Sequence, residues 1–127
     1  MPYSKSTEHT VQEILSQNAD GNGKLTVGTS PTPPSSLTSG AKVTAGTTAV
    51  QLVASATAAR RVTIQAFASN TGIIAVGGSN VLAAGDATAV GIQLTAGDAY
   101  ELDIDDLSKV WIRATVSGEG VTFVATA

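Results

Sequence analysis

The stretch that decides the fold is a run of alternating side chains, Arg61-Val-Thr-Ile-Gln-Ala-Phe67. In an extended chain, Val62, Ile64 and Ala66 lie on one face and polar residues lie on the other. This period of two predicts a strand with one face in a core and the other toward solvent.

Similar alternation recurs along the chain after residue 41, and turn-forming residues separate the repeats. In residues 99–104, for example, Tyr100, Leu102 and Ile104 alternate with acidic residues. Two Ala-rich segments, 54–59 and 83–84, are short and flanked by β pattern, so they are predicted to be loops. Further strands are predicted over 42–44, 48–53, 73–76, 88–94, 99–104, 109–116 and 121–126.

Short strands at this spacing predict an all-β fold, a small antiparallel β-sandwich or β-barrel of jelly-roll type. No segment between the strands is long and periodic enough for a crossover helix, which argues against a parallel α/β sheet. The chain has 127 residues, enough for one small domain. Its apolar residues are mostly Ala and Val, which bury little area each, so we expect the protein to form oligomers.

The first forty residues have a different pattern. A short helix is predicted over 6–17, where Val11, Ile14 and Leu15 form one apolar stripe. Three apolar side chains cannot stabilise an isolated helix of this length in water. The stripe must therefore pack on its own domain or dock on a partner.

A Pro/Ser/Thr/Gly linker occupies residues 28–40 and favours an extended conformation that acts as a spacer. The predicted organisation is therefore an anchoring arm over 1–40 and a β-sandwich or β-barrel domain over 41–127.

Composition argues against several classes of function. The net charge is −3 and no run of Lys or Arg is present, so we expect no nucleic-acid or membrane partner. The absence of Cys excludes a disulfide framework and a thiol nucleophile. The sequence shows no apolar leader and no membrane-length apolar run, so we expect a soluble protein made in a cytoplasm.

Two features of the arm invite a chemical interpretation. Asn18-Ala-Asp-Gly-Asn-Gly-Lys-Leu25 resembles the front of a calcium-binding EF-hand loop, but Thr29 stands where the bidentate acid is needed. The segment is therefore interpreted as a turn. His9, the only histidine, has no second His or Cys to complete a metal site or triad, and is interpreted as a solvated helix residue.

The densest group of acids comprises Glu101, Asp103, Asp105 and Asp106. Paired carboxylates can hydrolyse glycosides or bind calcium, but these acids alternate with apolar residues, which predicts a solvated strand face and turn. Cross-strand ion pairs with Arg60, Arg61 or Arg113 are a further possibility. We predict no catalytic, cofactor-binding or metal-binding residues.

Trp111 is interpreted in three ways. If Val110, Ile112, Ala114 and Val116 face the core, then Trp111, Arg113 and Thr115 face outward. An outward Trp beside an Arg suits a contact between subunits or stacking on a sugar ring, whereas the opposite register buries Trp111 in its own core. Trp111 and Arg113 are thus the candidates for an oligomer interface.

The body also resembles a known kind of protein. Gly46-Thr-Thr-Ala-Val-Gln-Leu52, Val62-Thr-Ile-Gln-Ala66, Asn70-Thr-Gly72 and Val76-Gly-Gly-Ser79 follow in the order seen in small structural proteins of tailed bacteriophages. The runs at 94–98, 102–111 and 118–122 are similar too. The resemblance covers roughly residues 41–126 and does not include the arm.

This resemblance implies a non-enzymatic virion protein, most simply a capsid decoration protein or head fibre. Its partner would be the major capsid protein or another virion protein, its location the capsid surface, and its oligomer a homotrimer. The alternative is a carbohydrate- or receptor-binding module of a phage tail, fibre or baseplate. A hydrolase is disfavoured because no nucleophile, base and orienting group can be assembled.

Overall fold

The structure, a computed structural model, describes residues 32–127. The predicted arm helix with Val11, Ile14 and Leu15, the segment 18–29 and His9 lie outside the described residues. Pro34–Ala127 form one compact unit. No helix within residues 32–127 has the length and apolar character needed to span a membrane.

The described chain is built from short strands, which confirms the all-β class. A single 3₁₀ turn, Leu107–Lys109, is the one helical element that the structure shows after residue 31. The strands are β1 (Leu37–Val43), β2 (Val50–Gln51), β3 (Arg61–Ala66), β4 (Ile74–Gly77), β5 (Ile92–Leu94), β6 (Ala99–Asp103), β7 (Trp111–Ala114) and β8 (Gly120–Thr126).

The strands form two antiparallel sheets of four. The first sheet has the order β1-β8-β3-β6 and the second has the order β2-β7-β4-β5. Pairing is nested, because β1 pairs with β8, β2 with β7, β3 with β6 and β4 with β5. Both sheets are open at their edges, so the barrel alternative is wrong and the two-sheet alternative is correct.

One apolar core lies between the two sheets. Val62 and Ile64 of β3 are fully buried, as the alternation in the sequence predicts, and they contact the same cluster as Ile74 of β4 and Ile112 of β7. Tyr100, Leu102 and Ile104 cover its margin, as predicted, while Glu101 and Asp103 point away. The remaining buried members are Leu52, Ala59, Ala66, Val76, Leu94, Leu107, Val110, Ala114, Val121, Phe123 and Ala125.

A smaller apolar cluster lies on the far side of the second sheet. Ala75 of β4 is buried there beneath Val81 and Ala83, which belong to the connection between β4 and β5. Gln93 holds this connection in place, because its side chain accepts from Ala84 N–H and donates to the carbonyl of Leu82. This connection therefore covers part of the outer face of the second sheet.

Several strand limits differ from the sequence prediction. β1 begins at Leu37, inside the segment predicted to be linker, because the backbone N–H groups of Ser35 and Ser36 bond to the carbonyl of Ala127 at 2.7 and 3.1 Å. The strand predicted over 88–94 shortens to Ile92–Leu94, since Gly91 takes a φ of +98° and turns the chain. The strand predicted over 48–53 shortens to Val50–Gln51.

The strand predicted over 109–116 is also shorter, and its end differs. Lys109 belongs to the 3₁₀ turn, because the Asp106 carboxylate caps that turn by accepting from Ser108 N–H. Of the two registers considered for this strand, the structure has the one in which Val110, Ile112 and Ala114 face the core, but Val116 is exposed beyond the end of β7.

A buried carboxylate ties the loops at one end of the two sheets. Glu119 has only 9% of its surface exposed, and its carboxylate accepts hydrogen bonds from the N–H and hydroxyl of Thr71 and from Gly72 N–H at 2.9 Å. Its backbone carbonyl accepts from the N–H and hydroxyl of Thr44. We call Glu119, Thr44, Thr71 and Gly72 the loop clamp. It joins three connections that are remote in sequence.

Asn70 extends the loop clamp to the start of β8. Its side chain donates to the carbonyl of Gly120 at 2.9 Å and accepts from Gly120 N–H at 3.3 Å. Space at these sites is tight, because a Cβ on Gly120 would stand 2.2 Å from the carbonyl oxygen of Lys42. A side chain at Gly120 is therefore excluded by the backbone of β1.

Truncation of the core should destabilise the body strongly. Ile64→Ala removes a fully buried side chain shared by both sheets, and we expect it to lower the free energy of unfolding by about 2–5 kcal/mol. Gln65→Ala, on the exposed face of the same strand, should change it by less than about 0.5 kcal/mol. Urea denaturation followed by circular dichroism measures both. Equal losses would contradict the assigned faces of β3.

The loop clamp should make stability depend on pH. Hydrogen bonds from Thr71, first of all from its backbone, hold the pKa of Glu119 below its ordinary value of 4.5. Because the folded state binds the proton less tightly, this stabilisation is complete above pH 4.5 and is lost as pH falls through the lowered pKa.

Glu119→Gln should therefore lower the Tm by several degrees at pH 7 and by progressively less toward pH 3. The amide of Gln places a donor opposite donors, which leaves backbone groups unpaired. Glu101→Gln, at an exposed carboxylate, is the control and should leave the Tm at pH 7 nearly unchanged. A constant difference between wild type and Glu119→Gln across this pH range would contradict the clamp's role.

Candidate contact surface

The outer face of the first sheet is left exposed by the described chain. Strand register places thirteen side chains on it, most of them exposed and many small. They are Leu37, Ser39, Ala41 and Val43 of β1; Thr122, Val124 and Thr126 of β8; Arg61, Thr63 and Gln65 of β3; and Ala99, Glu101 and Asp103 of β6.

One half of this face carries paired charges. Arg61 donates to Asp103 at 2.8 Å and to Glu101 at 3.2 Å across the β3–β6 pair. These contacts, led by the hydrogen bond to Asp103, raise the pKa of Arg61. The predicted cross-strand pairing of Arg61 with the acid group is therefore confirmed, and the carboxylates lie on the solvated face.

The other half of the face is uncharged and includes large exposed aliphatic side chains. Leu37 is 73% exposed, Val43 52% and Val124 42%. We call this half the β1 margin, and it consists of Leu37, Ser39, Ala41, Val43, Thr122 and Val124. Leu37 and Val124 are diagonal neighbours across the β1–β8 pair, whereas Val43 stands at the other end of β1.

A shallow hollow of about 420 Å³ adjoins the β1 margin where β1 begins. It is lined by Pro34, Ser35, Ser36, Leu37 and Thr126, and its wall is mostly apolar. The hollow offers room for an aliphatic side chain beside Leu37.

The remaining members of the acid group serve turns. The pKa of Asp106 is lowered by hydrogen bonds, first from Thr57 N–H and then from the N–H of Ser108. Asp105 pairs with Lys109 at 2.9 Å. Within residues 32–127, no three His, Asp or Glu side chains are grouped so as to hold a metal ion. The acids of this group therefore hold the backbone of turns and the pairing of strands.

Trp111 and Arg113 lie on the outer face of the second sheet, which is one of the two registers that the sequence left open. The indole of Trp111 is half-buried against the small cluster that contains Ala75, Val81 and Ala83. Arg113 is also half-buried, and its Nε donates to the carbonyl of Thr47 at 2.8 Å. Both side chains thus contact their own chain, and their predicted part in an oligomer interface stays a prediction.

An apolar cleft opens where the β5 and β6 edges of the two sheets meet. Its volume is about 360 Å³. Gly77, Gly78 and Gly91 lie on one side, and Lys109 is among its lining residues. The other lining residues are Val76, Ile92, Tyr100, Leu102, Ile104 and Val110.

Two features of the body were missed by sequence reasoning. Glu119 stands in Ser117-Gly-Glu-Gly120, which the sequence pattern marks only as a turn, and a lone acid between two glycines carries no signal of burial. The exposed edge at Leu37 was missed because Pro, Ser and Thr around it favour a linker. The available signal was that Leu37, Ala41 and Val43 fall on one face of an extended chain, together with Ser39.

No protein-family model, curated protein or solved structure matches this chain.

Loss of the indole should destabilise the second sheet. Trp111→Ala uncovers Ala75 and its neighbours, and we expect a loss of about 1–3 kcal/mol, below the cost of removing a fully buried aromatic ring. Trp111→Phe should recover most of this loss because it keeps the apolar contact. Urea denaturation of both variants gives the comparison, and a loss below 0.5 kcal/mol for Trp111→Ala would contradict a packing role.

Proposed function

We propose that this chain is a non-enzymatic structural protein of a tailed-bacteriophage virion, a capsid decoration protein whose N-terminal arm binds the major capsid protein. The resemblance of residues 41–126 to small phage structural proteins supports this proposal. The nested strand order is also that of an eight-stranded jelly roll, a fold used in viral capsid and lectin domains. Because such a fold serves many functions, the argument must rest on the surface.

The proposal rests on one observation: several charged side chains of the body are bonded within the body, whereas uncharged side chains are exposed at one sheet edge. Glu119, Asp106, Asp105 and Arg61 are bonded to groups of the same body, while the β1 margin exposes uncharged and aliphatic side chains. Groups occupied in this way fix structure, and exposed aliphatic groups gain free energy when a partner covers them. This pattern favours a protein that works through contacts with other proteins.

The arm supplies the second half of the proposal. In the helix predicted over 6–17, Val11, Ile14 and Leu15 would form a stripe that needs an apolar surface to cover it. The arm joins the body directly before β1, so a shell that binds the stripe holds the β body at the capsid surface. The virion surface is accordingly the proposed location.

Co-sedimentation with capsids from the source phage that lack this protein tests the arm. The full-length triple variant Val11→Asp, Ile14→Asp and Leu15→Asp should lose at least about 90% of binding, since charge in an apolar contact costs several kcal/mol. The matched control Gln12→Asp, Ser16→Asp and Gln17→Asp adds the same charge to the same segment and should bind normally. Normal binding by the stripe variant, with an unchanged circular-dichroism spectrum, would rule out this role of the arm.

The alternative, a carbohydrate- or receptor-binding module of a tail, fibre or baseplate, has one observation in its favour. The indole of Trp111 is partly exposed on the outer face of the second sheet, where a sugar ring can stack. Glycan-array binding that is lost in Trp111→Ala and reduced only modestly in Trp111→Phe would favour this function. Capsid binding by the full chain without any glycan signal favours the decoration role.

A further inference from the structure

The four sheet edges of the body differ in how they resist pairing with another chain. β2 has two residues and β5 has three, too short to template a stable ladder. β6 is longer, but Glu101 and Asp103 stand on its outer face and would repel a copy of themselves. β1 has seven residues and no proline, and its residues on the outer face carry no charge.

The free hydrogen-bonding groups of β1 can be assigned from its partner strand. Ser36 and Ala127 exchange both backbone hydrogen bonds, and Thr44 bonds to Glu119 and Gly118. In an antiparallel pair, residues facing the partner alternate with residues facing away. Between Ser36 and Thr44, the even-numbered residues therefore bond to β8. The N–H and C=O groups that face away from β8 are those of Leu37, Ser39, Ala41 and Val43, and no other described strand pairs with them.

We propose that β1 pairs antiparallel with β1 of a second copy, about a twofold axis at Gly40. In this register Leu37 stands opposite Val43 of the second copy, and Ser39 stands opposite Ala41. Each of these pairs has its free backbone groups facing the other strand, so the ladder gains about eight hydrogen bonds. The two first sheets become one continuous sheet of eight strands.

The side chains fit this register. The two most exposed aliphatic residues, Leu37 and Val43, become cross-strand neighbours, which covers them on both copies. The hollow beside Leu37 lies next to the position of Val43 of the second copy. Both strands meet at Gly40, where the ring of Phe123 fills the space a Cβ would need, at 2.9 Å.

Charge does not oppose the pairing. Lys42, the one charged residue of β1, alternates to the other face of the strand, opposite Val121 of β8. In the proposed register it stands opposite Thr38 of the second copy, so the two Lys42 Cα atoms lie roughly 13 Å apart along the strands. At this distance exposed charges are largely screened at 0.1 M salt.

This inference is independent of the capsid role, because it concerns only the body. It predicts a twofold dimer, in contrast to the homotrimer that the phage resemblance implies. A single edge that pairs with itself makes a closed, isologous contact.

Sedimentation equilibrium of the full chain tests the proposal. The expected mass is twice the 12.7 kDa of one chain. Ser39→Lys places a charge beside the axis on both copies and should raise the dissociation constant by about tenfold or more. Gln65→Lys puts the same charge on the same face two strands away, at an exposed position, and should leave the constant unchanged.

Cysteine cross-linking tests the register, since the chain has no native Cys. An oxidised equimolar mixture of Ser39→Cys and Ala41→Cys should form mixed dimers, because opposite Cα atoms in such a pair lie about 5.5 Å apart. Each variant alone should cross-link at least about fivefold less, since like positions lie about 7–8 Å apart on the diagonal.

The outcomes separate clearly. A dimer that weakens in Ser39→Lys, with mixed cross-links, supports the proposal. Three outcomes would overturn it: a trimeric mass, a monomeric mass, or a dimer insensitive to Ser39→Lys. A monomeric mass would mean that the β1 edge is left open or is covered by the chain's own upstream segment. None of these results depends on capsid binding, so failure here leaves the proposed function standing.

Discussion

The loop clamp is the constraint on which the arrangement of the body depends. A two-sheet fold with nested pairing brings together chain segments far apart in sequence, and nothing local specifies how their connections meet. Glu119 solves this by receiving hydrogen bonds from two residues of the β3–β4 connection, while its backbone carbonyl holds Thr44 after β1. A carboxylate can accept several bonds at once, and here all three come from Thr71 and Gly72, so the side chain fixes one connection while the backbone carbonyl of Glu119 fixes another.

The clamp has particular value because the core is made of small side chains. The smaller apolar side chains, Ala and Val, account for eight of the fifteen buried members of this core, and Phe123 is the only buried aromatic residue among the described residues. Each such side chain removes little apolar area from water, so the core alone gives a shallow preference for one arrangement. Polar contacts with strict geometry, at Glu119, Asn70 and Asp106, supply specificity that the core lacks.

Local patterns predicted the fold class well and the sheet edges poorly. Alternation at Val62, Ile64 and Ala66 identified a buried strand because one face of that strand lies in the core. For Trp111 and Arg113 the same reasoning left two registers open, and the structure has the one in which both lie on the outer face of β7. Only the end of β1 was predicted, in the strand over 42–44, because its residues Thr38, Gly40 and Lys42 give the rest of the strand no apolar inner face. The choice between open sheets and a barrel was beyond the sequence, since it depends on pairings between strands at opposite ends of the chain.

The position of β1 determines how the body responds to force. Tension applied to the chain upstream of Pro34 and directed along β1 would enter the body at Ser35 and Ser36, which bond to Ala127, and pass into β1, which pairs antiparallel with β8. Tension in this direction loads the whole seven-residue ladder in shear rather than opening it one rung at a time. Resistance to such tension would depend on the backbone hydrogen bonds between β1 and β8.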